Sequence, residues 1–246
     1  MLDRTSTGNQ NAGGDEQQVV VSGGPVLLNG VLSSPVGAAK MVVFPYVRVA
    51  EAGSEKMLRG LATLARACRQ AGIGTLLVNL LTLEDEELDR ATGFFRENID
   101  VLHQRVTGIA NWLIDRAEPG GLRMGYVGAG VCGAAILAAA AVRPDAIHSI
   151  VVIAPRIDLA RSYLPEVIAP TLLIVGEQDT AAVEMGRQAL SELMSDTALD
   201  VVAQARERGV TNRLEIIRGI TNVFENEQAL HTVCQQAIEW FKSHLL

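Results

Sequence analysis

Uninterrupted apolar runs recur along this chain, each separated from the next by a segment of helical spacing. KMVVFPY (40–46), GTLLVNL (74–80), LRMGYV (122–127), HSIVVIA (148–154), PTLLIVG (170–176) and RLEIIRG (213–219) read as strands. Strands without polar alternation must be covered on both faces. Strands that alternate with helices are connected by crossovers, which run parallel and coat the two faces of one sheet. Before the first of these units, VVV and VLLNGVL flank Ser22–Gly23–Gly24–Pro25, the pattern of an antiparallel hairpin with a glycine turn. The pattern predicts an α/β fold: a mostly parallel central sheet with an N-terminal antiparallel hairpin and helices on both faces.

The segments between strands set the helices. Ser54 is placed to cap a helix carrying Leu58, Leu61, Leu64, Ala65 and Cys68, stopped by Gly72. TLEDEELDR (82–90) reads as the solvated acidic start of a long helix. That helix carries Ile99, Leu102, Val106, Ile109 and Leu113 and ends near Glu118. Further helices are expected over 131–142, from Thr180 to Met194, and from Asn226 to Leu246, with Trp112 and Trp240 on core-facing sides. Residues 1–17 are polar and rich in Gly, Asn, Gln and Thr, so they read as a disordered tail. The remainder, 18–246, is long enough for a single domain, in which 195–212 reads as a polar, partly helical insert.

Charge and cysteine content narrow the function. A net charge of −7 and a pI near 5.2 argue against a nucleic-acid partner, because binding to phosphates needs a basic face. Cys68, Cys132 and Cys234 are too scattered to form a zinc motif, so no metal is expected. Neither a signal peptide nor an apolar stretch of membrane-spanning length is present in the sequence, which makes a cytoplasmic, membrane-free protein the expectation.

The most informative stretch is GYVGAGVCGAA (125–135), a glycine-rich turn between a strand and an alanine-rich helix. Gly128, Gly130 and Gly133 have the G-x-G-x-x-G spacing that suits a pyrophosphate at a helix N-terminus, with Arg156 and Asp158 near the end of the next strand. That fingerprint belongs to the first β–α–β unit of a nucleotide fold, and here earlier units precede it. No cofactor is expected on this ground.

From Val19 to Leu246 the chain resembles the α/β-hydrolase superfamily, in its dienelactone hydrolase-like branch. The likeness rests on strand order and on VVFPY, GYVGAGVCGAA, PTLLIVGEQD and EIIRGITNVFE. It implies hydrolysis of a small carboxylic ester or lactone by a nucleophile at the centre of G-x-[SC]-x-G, an acid in G-x-x-D and a histidine in G-x-x-H. With the first glycine at Gly128, the nucleophile position falls on Gly130 and the last glycine position on Cys132. Asp179 matches the acid, whereas Asn222 stands at the histidine position. Pro45, Tyr46 and Val131 stand at the oxyanion hole, and proline has no N–H to donate.

Acyl transfer needs a nucleophile, a base and donors for the oxyanion. Gly130 has no side chain, and the amide of Asn222 is not a base near neutral pH. The resemblance with these departures points to a pseudoenzyme that binds a small-molecule ligand or a protein partner, with self-association into a homo-oligomer also open. The alternative slips the register by two, making Gly130–Val131–Cys132–Gly133–Ala134 the elbow and Cys132 the nucleophile of a noncanonical ester or lactone hydrolase, with Asp179 and Asn222 as the candidate assisting residues. None of the histidines stands where it would pair with Cys132. His103 is in the long helix, His148 opens a strand, and His231 and His244 are in the last helix. Asp179 also serves as a helix N-cap on either reading.

Overall fold

The computed structural model describes residues 16–35, 39–48, 53–117, 121–194 and 211–245. The tail over 1–15 and most of the insert, 195–210, lie outside the described residues. Where the two segments end, the structure differs from the sequence reading. Gln17 already pairs with Leu32 in the first strand, and Asn212 pairs with Thr171 as the first residue of the last.

The strands are β1 (Gln17–Ser22), β2 (Leu27–Ser33), β3 (Lys40–Tyr46), β4 (Gly74–Asn79), β5 (Arg123–Gly130), β6 (Ser149–Pro155), β7 (Thr171–Gly176) and β8 (Asn212–Ile217). They form one eight-stranded sheet in the order β1-β2-β4-β3-β5-β6-β7-β8. β1 and β2 pair antiparallel, β2 meets β4 antiparallel, and the rest of the sheet is parallel. The described helices are α1 (Ser54–Gln70), α2 (Leu83–Thr92), α3 (Phe94–Glu97), α4 (Ile99–Ile114), α5 (Val131–Val142), α6 (Ile157–Ala160), α7 (Thr180–Leu193) and α8 (Glu227–His244). Short 3₁₀ turns cover Arg161–Glu166 and Val223–Glu225. Among the described residues, no helix is long and apolar enough to cross a membrane.

Burial on both faces explains the continuous apolar strands. In β3, Met41 and Val43 point into a core shared with α4 and α5, while Val42 and Phe44 point into one shared with α1 and α8. Cys68 and Cys234 lie in that second core as small packed residues, as expected from their helical positions. α5 is apolar all round, with Cys132 through Ala141 buried between the sheet and α4.

Several local expectations change. Helix α1 begins at Ser54 with Gly53 as the N-cap at φ 94°, so Ser54 lies inside the first turn and does not cap it. The long helix after β4 is three helices: Gly93, left-handed at φ 69°, ends α2, and Asn98 separates α3 from α4. The acidic start of α2 is an anchor as well as a solvated face. Thr82 and Asp85 form a capping box, and Asp85 takes a 2.7 Å hydrogen bond from the buried Arg105. Burial raises the Asp85 pKa, but the hydrogen bonds from Arg105 and Thr82 outweigh it and leave the group below the usual carboxylate range. Arg105 also donates to the Leu80 carbonyl and stacks over Phe95. Asp89, 2% exposed, accepts from Phe95 N–H and pairs with Arg96 at 2.9 Å. These contacts fix α2 and α3 over the carboxyl end of β4.

β5 runs three residues beyond the expected Val127. Glycine and alanine have weak strand propensity, but Gly128 and Ala129 pair with Val152 and Ile153 of β6, and Gly130 with Pro155 after a bulge.

Candidate functional site

The chain crosses from β3 to β4 on one side of the sheet and returns to β5 on the other side of β3. Such a switch point opens a crevice beyond the carboxyl ends of the strands. A cavity of about 720 Å³ occupies it. Gly130, Val131, Cys132, Asp179 and Asn222 all line this cavity, so the structure brings together the candidates scattered through the sequence.

Gly130 forms the turn from β5 into α5, at φ 54° and ψ −124°. L-residues rarely adopt this conformation, and glycine does so without the Cβ conflict. A Cβ built on Gly130 would meet nothing within 4 Å, so a side chain here would project into open space. The strained turn therefore falls at Gly130 and not at Cys132, and the two-residue register slip is not adopted. Gly133 has a different reason to be glycine. A Cβ there would come 2.3 Å from Val152 Cγ1, so its smallness lets α5 lie close to β6. The G-x-G-x-x-G spacing thus has a packing explanation at its last position.

Cys132 is the second residue of α5 and 3% exposed. Burial pushes its thiol up to about 12. The helix N-terminus that favours a thiolate in exposed settings is outweighed here by desolvation. No histidine lines the cavity among the described residues.

Asp179 caps α7, its Oδ1 accepting from the Ala182 N–H at 3.0 Å. Asn222 Oδ1 accepts from the Phe224 N–H at 2.9 Å and so closes its own turn. The Asn222 loop is tied to the end of β7: the Gln178 N–H donates to the Ile220 carbonyl, and the Gly219 N–H to Glu177 Oε2. These bonds hold the Asn222 loop beside the start of α7.

Pro45 and Tyr46 are not part of the cavity wall. Both are β3 residues, paired with Val78 and Asn79, and the Tyr46 carbonyl accepts from the Leu80 N–H. The wall at this point is Val47, the first residue beyond the strand.

The rim is charged. Arg156 grips Asp158 with two short hydrogen bonds and reaches Glu97 of α3 at 3.5 Å. The Arg156 bond to Asp158 holds that carboxyl below the usual range. Arg156 and Asp158 are therefore engaged with each other at the mouth. Arg96, Met57 and Ala154 also line the cavity and carry no sequence signal of it. Ala154, at φ 47°, is the non-glycine positive-φ residue among those described, at the end of β6.

Sheet order, elbow turn and crevice define an α/β-hydrolase fold. The solved dienelactone hydrolase from Anabaena variabilis is 37% identical, with a TM-score of 0.82, and the match covers 96% of this chain and all of that one. The chain belongs to this dienelactone hydrolase-like family. An α/β serine hydrolase from Xanthomonas campestris shares the fold at a TM-score of 0.67 and 17% identity, over 93% of this chain and 94% of that one. No protein-family model matches. Two Mycobacterium tuberculosis proteins that carry the provisional name phosphoribosyl transferase are 33% identical over 94% of this chain. The chain spans about half the length of these curated relatives, 47%.

Proposed function

We propose that this chain uses its hydrolase crevice to bind a small ligand and does not turn over esters by the usual triad. The observation that carries this reading is Gly130 at φ 54° in the elbow, where the nucleophile would project into the cavity. Asn222, engaged with its own turn, and Asp179, engaged as a helix cap, support it. So does the burial that keeps the Cys132 thiol protonated at neutral pH.

The test is turnover of p-nitrophenyl acetate and a small lactone by the wild type and by Cys132→Ala. The expected result is no rate above buffer for either protein. Wild-type turnover that disappears in Cys132→Ala would overturn the reading and establish a displaced cysteine nucleophile.

A further inference from the structure

Resting on the reading that the cavity binds without turnover, we infer that Asp179 and Asn222 form a hydrogen-bonding couple that selects a carboxamide ligand, Asp179 accepting from its N–H and Asn222 donating to its carbonyl. Both residues line the cavity. Each commits one oxygen to the backbone: Asp179 Oδ1 to the Ala182 N–H, and Asn222 Oδ1 to the Phe224 N–H. Only the oxygen of an amide can accept from a backbone N–H, so the Asn222 orientation is fixed and its NH₂ group is the part left over. Among the described residues, no hydrogen bond or ion pair engages Asp179 Oδ2 or Asn222 Nδ2.

The two residues come from segments that are bonded to each other. The Gln178 N–H donates to the Ile220 carbonyl at 2.9 Å. A Cβ on Gly176 would come 2.3 Å from the Thr221 carbonyl oxygen and 2.6 Å from that of Ile220, so the loop lies directly on the end of β7. Asp179 follows Gln178, and Asn222 follows Thr221.

The couple therefore offers one acceptor and one donor to the cavity. That is the complement of a primary carboxamide, which carries an N–H and a C=O on one edge. A carboxylate would set oxygen against the oxygen of Asp179, and an ester has no N–H to give. Met57, Val223 and Phe224 line the same cavity and supply apolar contact for the rest of the ligand. Positions that hold the acid and the base in the family pattern here read a hydrogen-bond pattern.

The experiment titrates the full chain at neutral pH with benzamide, benzoate and benzamidine, followed by ligand-detected NMR. The three probes share one shape and present a donor with an acceptor, two acceptors, and two donors respectively. The wild type is expected to bind benzamide about tenfold more tightly than either of the others, since each of those leaves one charged or polar group facing its like. Asp179→Asn turns the couple into two donors and should switch the preference to benzoate. Asn222→Asp turns it into two acceptors and should switch the preference to benzamidine. Both variants keep the oxygen that bonds the backbone, so the α7 cap and the Asn222 turn are retained. The double variant Asp179→Asn/Asn222→Asp exchanges donor and acceptor, and benzamide should regain its preference by binding turned over. Attraction to the Asp179 charge alone predicts instead that the wild type prefers benzamidine. That result, no binding of any probe, or one order of preference in all four proteins overturns the couple. Ester turnover by the wild type decides the binding reading separately, because it does not depend on this order.

Discussion

Gly130→Ala isolates the backbone of the elbow from its chemistry. An alanine at an ordinary glycine site with room for it stabilises a protein by about 0.4–1 kcal/mol, because the unfolded chain loses freedom. At φ 54° and ψ −124° an L-residue incurs strain of about 1–3 kcal/mol. The new Cβ meets nothing within 4 Å, so no steric clash adds to this. The difference is a net loss of about 1–2 kcal/mol, a fall in Tm of about 3–6 °C for a chain of this size. Urea unfolding followed by tryptophan fluorescence measures it, through Trp112 and the buried Trp240. The midpoint should fall with m unchanged, since the same surface is exposed on unfolding. An unchanged or higher midpoint would refute the strained elbow, because an ordinary turn predicts the opposite sign.

Other perturbations test other parts of the structure. Asp179→Ala removes the cap on α7 and should cost about 1 kcal/mol in urea unfolding; no loss would argue against a capping role. Arg105→Ala leaves Asp85 and the Leu80 carbonyl without their buried donor and should cost about 3 kcal/mol, with faster proteolysis of the α2–α3 segment. All three cysteines are buried, and burial pushes Cys68 and Cys132 up to about 12. Ellman's reagent should therefore label them only after unfolding; rapid native labelling of Cys132 would contradict the structure. His148 Nδ1 accepts the Met124 N–H at 3.2 Å, and burial, then Arg123, holds its pKa below the ordinary 6.5. The unfolded chain thus binds the proton first. Stability is complete above about pH 6.5 and declines as pH falls from there toward the depressed folded value. His148→Asn should flatten that decline in unfolding curves between pH 7 and 5.

The sheet was legible because its strands carry their own evidence. Val42, Phe44, Met41 and Val43 are apolar in succession since each face of β3 has a helical layer over it. The helices after β4 were not legible as separate elements. Apolar spacing persists through Gly93 and Asn98, and only the backbone angles show the breaks. Glu84–Asp89 reads as solvated because charge alone does not reveal a partner. Asp85 meets Arg105 from twenty residues away, and Asp89 meets Arg96 on the next helix. Gly130, Cys132, Asp179 and Asn222 could be placed by motif spacing, and the cavity does gather them. Val47 and Arg96 have no local motif, and their proximity to the elbow comes from packing across the switch point.

That switch point has an evolutionary consequence. The crevice exists because the chain reverses its direction of travel across the sheet at β3, and no side chain is required to create it. Losing a nucleophile or a base removes reactivity and leaves the hollow intact. A lineage built on this topology can therefore discard its chemistry residue by residue while keeping a receptor of the same shape, on which selection for affinity alone can act.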